Sequence, residues 1–305
     1  MKVALLQGGR SLERGVSLRS GARVAEALLD LGHDVETLDL GPELVGRLES
    51  YRPDVAFIAL HGTEGEDGTI QALLELLGIP HTGPRVAACQ RCMDKSLAKY
   101  ILRENSIPTP DWVTYSEAAI RDFGAASSFQ QATAKVGLPL VAKPASQGSS
   151  LGVKVVTRAE DIPGALMTAL SYDSRALLET WISGRELAVS VLGDQALPVV
   201  EAIPTENNAY DFEARYEIGA ASFVCPAELS DEETDEVNRV ALAAYNALGC
   251  SGFSRVDLIL GEDGPQVLEI NAIPGLTETS LLPQAAEAAG FEFEAMVEKI
   301  LDLAT

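Results

Sequence analysis

The chain has 305 residues, of which 47% are hydrophobic and 22% are charged, and its formal net charge is −22. That length is enough for about two or three α/β domains. The charge argues against a general nucleic-acid-binding protein and against one that lies on a membrane surface, because the phosphates of both would be repelled. No apolar stretch is long enough to span a bilayer, and the start MKVALLQGG does not have the pattern of a signal peptide. We therefore expect a cytoplasmic protein that binds neither nucleic acid nor membrane.

Residues 1 to about 90 alternate between strand and helix patterns. Strands are predicted at KVALLQ, HDVETLDL and PDVAFIAL, with helices after the first strand, up to about Leu31, and after the third, at TIQALLELLG. This βαβαβα order predicts a parallel sheet covered by helices. Ligands bind at the carboxyl ends of such strands, which here are followed by QGGRSLE and HGTEGEDG. Neither contains GxGxxG, so the sequence does not indicate a dinucleotide site.

The pattern changes after about residue 93. Residues 94–181 are typical of a small α+β domain, with a helix that starts near Asp94, the strand–loop–strand GLPLVAKPASQGSSLGVKVV, a helix at AEDIPGALMTAL and the strand RALLETWI. The remainder carries the strands RELAVSVLG and ALPVVEAIP, a long polar loop at 205–222, the helix SDEETDEVNRVALAAYNALG and a hairpin. We therefore expect an α/β protein of three domains, at 1–93, 94–181 and 182–305.

Two of the four cysteines, Cys89 and Cys92, form a CxxC pattern in AACQRCMDK. Such a pair occurs in zinc and redox motifs. The sequence contains no second pair, and the residues around this one are typical of a helix. We therefore expect ordinary helix positions in a reducing compartment.

The segment DLILGEDGPQVLEIN, residues 257–271, has two apolar runs around a turn signal and predicts a β-hairpin. If a turn of about three or five residues pairs Asp257 with Glu269, then Arg255 pairs with Asn271 and all four side chains share one face, whereas a turn of about four residues splits the set. The opposite face would then carry Val256, Leu258, Leu268 and Ile270.

Two carboxylates and an amide oxygen on one face of a hairpin are suited to Mg²⁺, which commonly binds a few carboxylates together with substrate phosphates. Arg255 beside them would face an anion. The alternative is a surface hairpin with scattered polar residues. Asp and Asn are disfavoured in strands, and this favours the metal site.

The segment KPASQGSSLGVKVV places a glycine- and serine-rich loop after a predicted strand that ends near Lys143. This loop contains Gly148, Ser149, Ser150 and Gly152, and its backbone N–H groups and hydroxyls could close over a polyphosphate. It is not a Walker A loop, because GxxxxGK[ST] is absent. Lys95, near the start of its helix, is a second candidate phosphate contact. An ordinary hairpin turn and an exposed helix lysine are the alternatives.

Two further segments carry weaker signals. In LLETWISGRE a strand ends at residues 179–182 and could offer edge amides to a flat base, or could simply lead into a domain hinge. NAIPGLTETSLLP follows the hairpin directly, and the backbone N–H groups of its Pro-Gly turn and helix start suit a carboxylate or an oxyanion. The alternative for this segment is a Pro-Gly loop followed by a capped helix.

Taken together, seven segments in order make the whole chain resemble the ATP-grasp enzymes, and most closely the D-alanine–D-alanine ligases of peptidoglycan synthesis. They are GGRSLERGVSLRSG, ALHGTEGEDGTIQALLELLGIPHTG, MDKSLAKYIL, KPASQGSSLGV, YDFEARY, FSRVDL and EINAIPGLTETSLLP. The resemblance implies three α/β domains, with ATP held between two antiparallel sheets. It further implies that the carboxylate of one D-alanine attacks the γ-phosphate of ATP. The amine of a second D-alanine then displaces phosphate from the acyl phosphate.

The resemblance also implies ligands for the nucleotide and its metal ion. The metal, Mg²⁺ with Mn²⁺ as a substitute, would be held by Asp257, Glu269 and Asn271. The phosphates would be contacted by Lys95, Lys143, Ser149, Asn271 and Arg215. The adenine and ribose pocket would be formed by Glu179, Trp181, Ile182 and Glu186. K⁺ is a further candidate cofactor, and the family implies a homodimer.

For the amino acids, the resemblance implies that Glu13 receives the ammonium of the first D-alanine and that His61 lies near it. Arg255 and the amide of Gly275 would form the oxyanion hole. The second carboxylate would bind to Ser280 and to the amide of Leu281. Finally, a hydrogen-bonded set would position the loops and assist deprotonation of the second amine; its members are Glu13, Ser149 and Tyr216.

Two positions depart from the family pattern, since Arg215 replaces an expected lysine and Gln147 stands where many relatives carry glutamate. Tyr216 implies dipeptide formation rather than incorporation of lactate. One alternative is a carboxylate–amine ligase for another amino or hydroxy acid, which the surroundings of Glu13, Tyr216 and Ser280 would decide. The other is a nucleotide-binding regulatory module without turnover.

Overall fold

The computed structural model describes residues 1–204 and 221–304. The predicted polar loop at 205–222 therefore lies almost wholly outside the described residues, together with the candidate site residues Arg215 and Tyr216. In the described part of the chain, no helix is long and apolar enough to cross a membrane.

The first sheet consists of three parallel strands in the order β2–β1–β3. These strands are β1 (Lys2–Gln7), β2 (Asp34–Asp39) and β3 (Val55–Ile58). The helices that alternate with them are α1 (Arg14–Asp30), α2 (Leu44–Tyr51) and α3 (Thr69–Leu76). The apolar runs of β1 and β3 are fully buried, as expected for parallel strands that are covered on both faces. The predicted βαβαβα order is confirmed.

Two helices lead from the first sheet to the second, α4 (Val86–Met93) and α5 (Lys95–Glu104). Asp94 separates them and caps α5, because its Oδ1 accepts a hydrogen bond from the backbone N–H of Leu97 at 3.0 Å. Cys89 and Cys92 are buried residues of α4, and both are free thiols. The prediction that this CxxC pair occupies helix positions is confirmed.

The second sheet is antiparallel, with strand order β4–β7–β5–β6. Its strands are β4 (Trp112–Ser116), β5 (Leu140–Pro144), β6 (Lys154–Val156) and β7 (Arg175–Thr180). The accompanying helices are α6 (Glu117–Asp122), α7 (Phe129–Val136) and α8 (Ile162–Leu170). The strand–loop–strand predicted around the glycine- and serine-rich loop corresponds to β5 and β6.

The third sheet is also antiparallel, with the order β11–β10–β8–β12–β13 and a short strand, β9, beside β8. Its strands are β8 (Arg185–Leu192), β9 (Gln195–Ala196), β10 (Val200–Pro204), β11 (Ala221–Val224), β12 (Phe253–Gly261) and β13 (Gly264–Asn271). The helices of this part are α9 (Asp231–Leu248), α10 (Leu281–Ala288) and α11 (Phe293–Asp302). A capping box between Ser230 and Glu233 fixes the start of α9.

The hairpin of β12 and β13 has the predicted pairing of its polar residues, but it reaches that pairing differently. Asp257 lies opposite Glu269, and Arg255 lies opposite Asn271. The turn itself is tight, since Gly261 already pairs with Gly264. A β-bulge next to Asp257 restores the register that such an even turn would otherwise shift by one residue.

The bulge corrects the expectation for Leu268. We expected Leu268 on the buried apolar face with Val256 and Leu258, but Val267 is buried there instead. Leu268 is the extra residue of the bulge, so it points with Glu269 away from that core and lines a cavity.

Buried apolar side chains divide into two main clusters. One lies on the second sheet and includes Leu140, Ile162 and Leu178. The other is continuous through the first and third sheets, from Val3 to Leu301. The domain boundaries predicted at 93/94 and 181/182 stay a prediction.

Gly21 allows α1 to pack directly on β1. A Cβ at this position would lie 2.7 Å from Cβ of Gln7, closer than two side chains can approach. We expect Gly21→Ala to lower the free energy of unfolding by about 1–3 kcal/mol through overpacking. Gly46, in α2, has nothing within 4 Å of its added Cβ. The control Gly46→Ala should therefore raise the free energy of unfolding by about 0.5–1 kcal/mol. Urea denaturation measures this quantity for both variants. Equal stability of the two variants would contradict this account.

Candidate active site

Two cavities meet beside the hairpin. The small one holds about 40 Å³ and is lined by Glu13, His61, Glu66, Ser149, Arg255 and Gly275 among others. The large one holds about 560 Å³ and lies between the second and third sheets, lined by Lys143, Glu179, Trp181, Ile182, Glu186 and Leu268 among others. Lys95, Gln147 and Glu269 line both cavities. A single elongated ligand could therefore reach from one cavity into the other.

Glu13 lies at the start of α1 and is buried against two loops. Its Oε1 accepts a hydrogen bond from the Ser149 hydroxyl at 3.1 Å. Gly62 packs so closely on the carboxylate that an added Cβ would collide with it, and the φ of Gly62 is +72°. Two of the predicted partners of the hydrogen-bonded set, Glu13 and Ser149, are thus in contact, while Tyr216 lies outside the described residues.

The loop that carries Ser149 has a strained backbone. Ser149 and Ser150 both have left-handed conformations, with φ of 56° and 54°. Such positions cost about 1–3 kcal/mol each for residues other than glycine. The loop is anchored at its start, because the backbone carbonyl of Gln147 accepts a hydrogen bond from Lys95 Nζ at 2.6 Å. The strain is consistent with a loop that turns backbone N–H groups toward an anion.

His61 is buried and connects three segments. Its Nδ1 lies 3.0 Å from the carbonyl of Ile273, and its Nε2 lies 2.9 Å from the Ser20 hydroxyl. Burial, together with the nearby Arg255, lowers the pKa of His61 to about 4, although the hydrogen bond to the Ile273 carbonyl acts in the opposite direction. The neutral ring therefore donates from Nδ1 and accepts at Nε2. Ser20 also accepts a hydrogen bond from the backbone N–H of Leu276 at 3.1 Å.

Glu66 also lines the small cavity, and the sequence reasoning missed it. Its Oε1 accepts a hydrogen bond from the backbone N–H of Gly62 at 2.8 Å. Burial raises the pKa of Glu66 to about 8, and the neighbouring Glu13 contributes to this rise, against the hydrogen bond from the Gly62 backbone. Glu66 is therefore mostly protonated at neutral pH and can donate a hydrogen bond. Its place in HGTEGEDG, after a strand of the parallel sheet, was the available signal.

The polar face of the hairpin is a network of paired charges. Arg255 donates two hydrogen bonds to Asp257, from Nε to Oδ1 at 2.6 Å and from Nη2 to Oδ2 at 2.8 Å. Asn271 Nδ2 donates to the same Oδ2 at 2.9 Å. Glu269 Oε2 lies 3.1 Å from Lys95 Nζ. The hairpin thus brings together the three predicted metal ligands and Arg255.

These three residues fit a hard cation by their chemistry. Asp257 and Glu269 are cross-strand neighbours, and the amide of Asn271 could turn its oxygen toward an ion that approached them. Among residues 1–204 and 221–304, no group of three His, Cys, Asp or Glu side chains could hold a metal ion. An ion at the hairpin would therefore need further oxygen ligands from phosphate and water, which is the usual arrangement for Mg²⁺.

The large cavity has a charged wall and an apolar one. Lys143 Nζ donates to Glu179 Oε1 at 2.6 Å. Burial alone would raise the pKa of Glu179, but the ammonium groups of Lys143 and Lys99 more than offset this and hold it below its usual range. Trp181 and Ile182 follow the end of β7, and Glu186 lies in β8. All four predicted adenine and ribose residues therefore line this cavity.

Gly275 lines the small cavity, and Ser280 lies directly behind it. A Cβ on Gly275 would lie 2.7 Å from Ser280 Oγ. The same Oγ accepts a hydrogen bond from the backbone N–H of Thr277 at 3.0 Å. Ser280 precedes Leu281, the first residue of α10, so the amide of Leu281 is at a helix N-terminus. Of these residues, only Gly275 lines the small cavity, whereas Ser280 and Leu281 line neither cavity and lie behind Gly275.

Family models described as D-ala D-ala ligase N-terminus and D-ala D-ala ligase C-terminus match residues 44–84 and 101–302. The curated D-alanine–D-alanine ligase of Moorella thermoacetica is 43% identical over 308 residues, which is 100% of this chain and 99% of that protein. The chain belongs to the D-alanine–D-alanine ligase family. The ligase of Pelotomaculum thermopropionicum is 41% identical over 100% of this chain and 96% of its own length.

Solved structures of this ligase family have the same fold. The crystal structure of D-alanine–D-alanine ligase from Bacillus anthracis matches with a TM-score of 0.87 and 34% identity, covering 100% of this chain and 97% of that one. The crystal structure of the same protein complexed with ATP matches with a TM-score of 0.85 and 32% identity at the same coverage. The mixed α/β architecture predicted from the sequence is therefore that of the ligase family.

The buried, neutral His61 makes a prediction about acid stability. Between pH 6.5 and pH 4 only the unfolded chain protonates this residue, so the free energy of unfolding falls as the pH is lowered through that range. We expect the wild type to lose about 3 kcal/mol more than His61→Gln between pH 7 and pH 4. Urea denaturation at several pH values measures the difference, because the other acid-sensitive groups are common to both proteins. Parallel stability curves would show that His61 is not buried as a neutral base.

Proposed function

We propose that this protein joins two molecules of D-alanine to D-alanyl-D-alanine at the expense of ATP, for the synthesis of peptidoglycan precursors in the cytoplasm. One observation carries the proposal. A cavity large enough for a nucleotide and a small polar cavity that contains a buried carboxylate share the walls formed by Lys95, Gln147 and Glu269. The terminal phosphate of a nucleotide in the first would therefore face an amino acid in the second.

The nucleotide would bind with its base beside the charged wall of the large cavity. Glu179 can accept hydrogen bonds from an exocyclic amino group, and the segment at Trp181 and Ile182 offers its backbone to the base edge. Glu186 is placed to bind the ribose. The phosphates would then extend toward Lys143 and Lys95, below the loop that contains Ser149. Arg215 would add a further phosphate contact from outside the described residues.

Asp257, Glu269 and Asn271 would hold Mg²⁺, or Mn²⁺ in its place, against these phosphates. When bound, this ion neutralises charge on the transferred phosphoryl group and on the leaving group. Lys95 contributes to the same task from α5, because its ammonium pairs with Glu269 and reaches the shared wall. K⁺ is a further candidate cation, for which the described residues suggest no particular site.

The amino acids would occupy the small cavity and its far end. Glu13 would receive the ammonium of the first D-alanine, with the neutral His61 close to it. The second D-alanine would bind through its carboxylate to the Ser280 hydroxyl and the Leu281 amide. Tyr216 would join Glu13 and Ser149 across the closed site.

The reaction then has two steps. The carboxylate of the first D-alanine attacks the γ-phosphorus of ATP, which forms an acyl phosphate and releases ADP. The amine of the second D-alanine attacks the acyl carbon, and a tetrahedral intermediate forms whose oxyanion faces Arg255 and the Gly275 amide. Collapse of this intermediate forms the peptide bond and releases phosphate, after the attacking amine has lost its proton.

Three further features belong to this proposal. The chain would form three domains of the ATP-grasp type, with ATP clamped between the two antiparallel sheets. It would act as a homodimer. Small molecules, D-alanine and ATP, would be its binding partners.

Coupled release of phosphate from ATP and Mg²⁺ tests the function, with D-alanine, L-alanine and D-alanine plus D-lactate supplied in parallel and the product identified by mass. We expect release that depends on D-alanine and a product with the mass of D-alanyl-D-alanine. Preference for D-lactate as second substrate would favour a ligase for another acceptor. Nucleotide binding without turnover for any pair would favour a regulatory module.

Glu269→Gln tests the metal site. Loss of one of the two carboxylate charges should reduce kcat by about 100-fold or more at ordinary Mg²⁺ and should weaken the effect of Mg²⁺ on ATP binding measured by calorimetry. The matched control is Glu262→Gln at the exposed turn of the same hairpin, which should leave both quantities unchanged. Near-normal kcat in Glu269→Gln would refute the metal assignment.

A further inference from the structure

Lys99 is the largest charged side chain that the structure buries completely, and the function proposed above gives it no role. It lies in α5, one helical turn after Lys95, and it does not line the large cavity. Its ammonium lies 2.5 Å from Oε2 of Glu179, the oxygen opposite to the one that Lys143 contacts. Glu179 is thus held between two ammonium groups, one in the cavity wall and one behind it.

The directed hydrogen bonds of Lys99 go to a different segment. Its Nζ donates to Thr109 Oγ1 at 2.7 Å and to the carbonyl of Pro110 at 3.1 Å. Thr109 Oγ1 in turn donates to the carbonyl of Val267 at 2.8 Å. Val267 immediately precedes the bulged residue Leu268 and lies two residues before Glu269. One buried ammonium therefore links the carboxylate in the nucleotide cavity to the strand that carries a proposed metal ligand.

The charge of Lys99 supports this arrangement. Burial lowers the pKa of Lys99 to about 8, and Glu179 acts against this effect. Lys99 is therefore mostly protonated at neutral pH, and it helps to keep Glu179 ionised. An ionised carboxylate only accepts hydrogen bonds, whereas a protonated one also donates. The protonation state of Glu179 hence decides which base edges it can bind.

We propose that Lys99 is a positioning residue that acts through Glu179 to select a purine with a 6-amino group over one with a 6-oxo group. By holding Oε2 from behind, Lys99 fixes the direction of Oε1 and keeps the carboxylate a pure acceptor. A 6-amino group donates to such an oxygen, but a 6-oxo group would place a second acceptor against it. This inference rests on the proposed use of a nucleotide in the large cavity.

The test compares ATP with ITP, which differ at this position of the base, in the full-length wild type, Lys99→Met, Glu179→Gln and the double variant. Binding of each nucleotide with Mg²⁺ is measured by calorimetry, and turnover is measured with D-alanine. Lys99→Met should lower the ratio of ATP to ITP affinity by about tenfold. The KM for nucleotide should change and the KM for D-alanine should not.

The double variant separates positioning from general damage. If Lys99 acts through Glu179, adding Lys99→Met to Glu179→Gln should change the ratio by less than about twofold. The inference is overturned if folded Lys99→Met keeps the wild-type ratio, or if the ratio falls equally in both backgrounds. The matched control is Lys135→Met, which removes an exposed lysine of α7 and should leave the ratio unchanged.

A second variant keeps the test decisive if Lys99→Met does not fold. Thr109→Val removes the acceptor between Lys99 and β13 without altering charge. It should lower the ATP-to-ITP ratio in the same direction, and this effect should disappear in the Glu179→Gln background. An unchanged ratio in folded Thr109→Val would then overturn the inference. Calorimetry gives the ratio even if D-alanine supports no turnover, so failure of the proposed function is seen separately.

Discussion

The ion pair between Lys95 and Glu269 lies where the two cavities meet, and the rest of the site is arranged around it. It connects the start of α5 to the end of β13, which belong to different parts of the fold. The other end of the site is tied in the same way, because Lys99 joins α5 to Glu179 in β7. Although the chain has a net charge of −22, it buries three lysines around this site, Lys95, Lys99 and Lys143.

Such pairs are not an efficient way to stabilise a protein. Bringing two charges out of water costs about as much as their attraction returns, whereas removing one partner leaves a buried charge that costs about 3–5 kcal/mol. Lys99, Lys143 and Glu179 are all buried, so each is expensive unless the other two are present. This interdependence favours a functional explanation for the three buried charges, namely that they are positioned to bind a ligand that is itself charged.

Much of this arrangement could be predicted from the sequence. The parallel order of the first sheet, the helix capped by Asp94 and the polar pairing across the hairpin all follow from periodicity and turn signals. The bulge at Leu268 could not be predicted, because the apolar alternation of residues 265–270 fits a regular strand equally well. What decides it is the tight turn, whose even register would separate Asp257 from Glu269.

The sequence did not indicate Glu66 and Lys99 as residues of the site, and the reason is different from that for the bulge. Glu66 and Lys99 are charged residues of a polar loop and an amphipathic helix, and charged residues are rarely buried, so local sequence gives no sign of their burial. Only the spacing of four residues between Lys95 and Lys99 hinted that both occupy one face of α5. Their environments, and therefore the pKa of about 8 for each, come from contacts distant in the chain. The burial and the pKa of both residues are therefore determined by tertiary contacts, which cannot be read from the local sequence pattern.

The charges at the junction also bear on the order of binding. The cations described along the site are Lys95, Lys99, Lys143 and Arg255, and the carboxylates paired with them are Glu179, Asp257 and Glu269. These paired groups alone leave one positive charge in excess, but the two cavities are also lined by Arg185, Glu13, Glu186 and Glu201. The site therefore has no surplus of positive charge to balance the polyphosphate of a nucleotide. In the proposed function, the missing positive charge would arrive with the nucleotide. A divalent cation on its phosphates would reduce their charge, and it would replace Arg255 and Lys95 as the partner of Asp257 and Glu269 when these two cations turn toward the substrate.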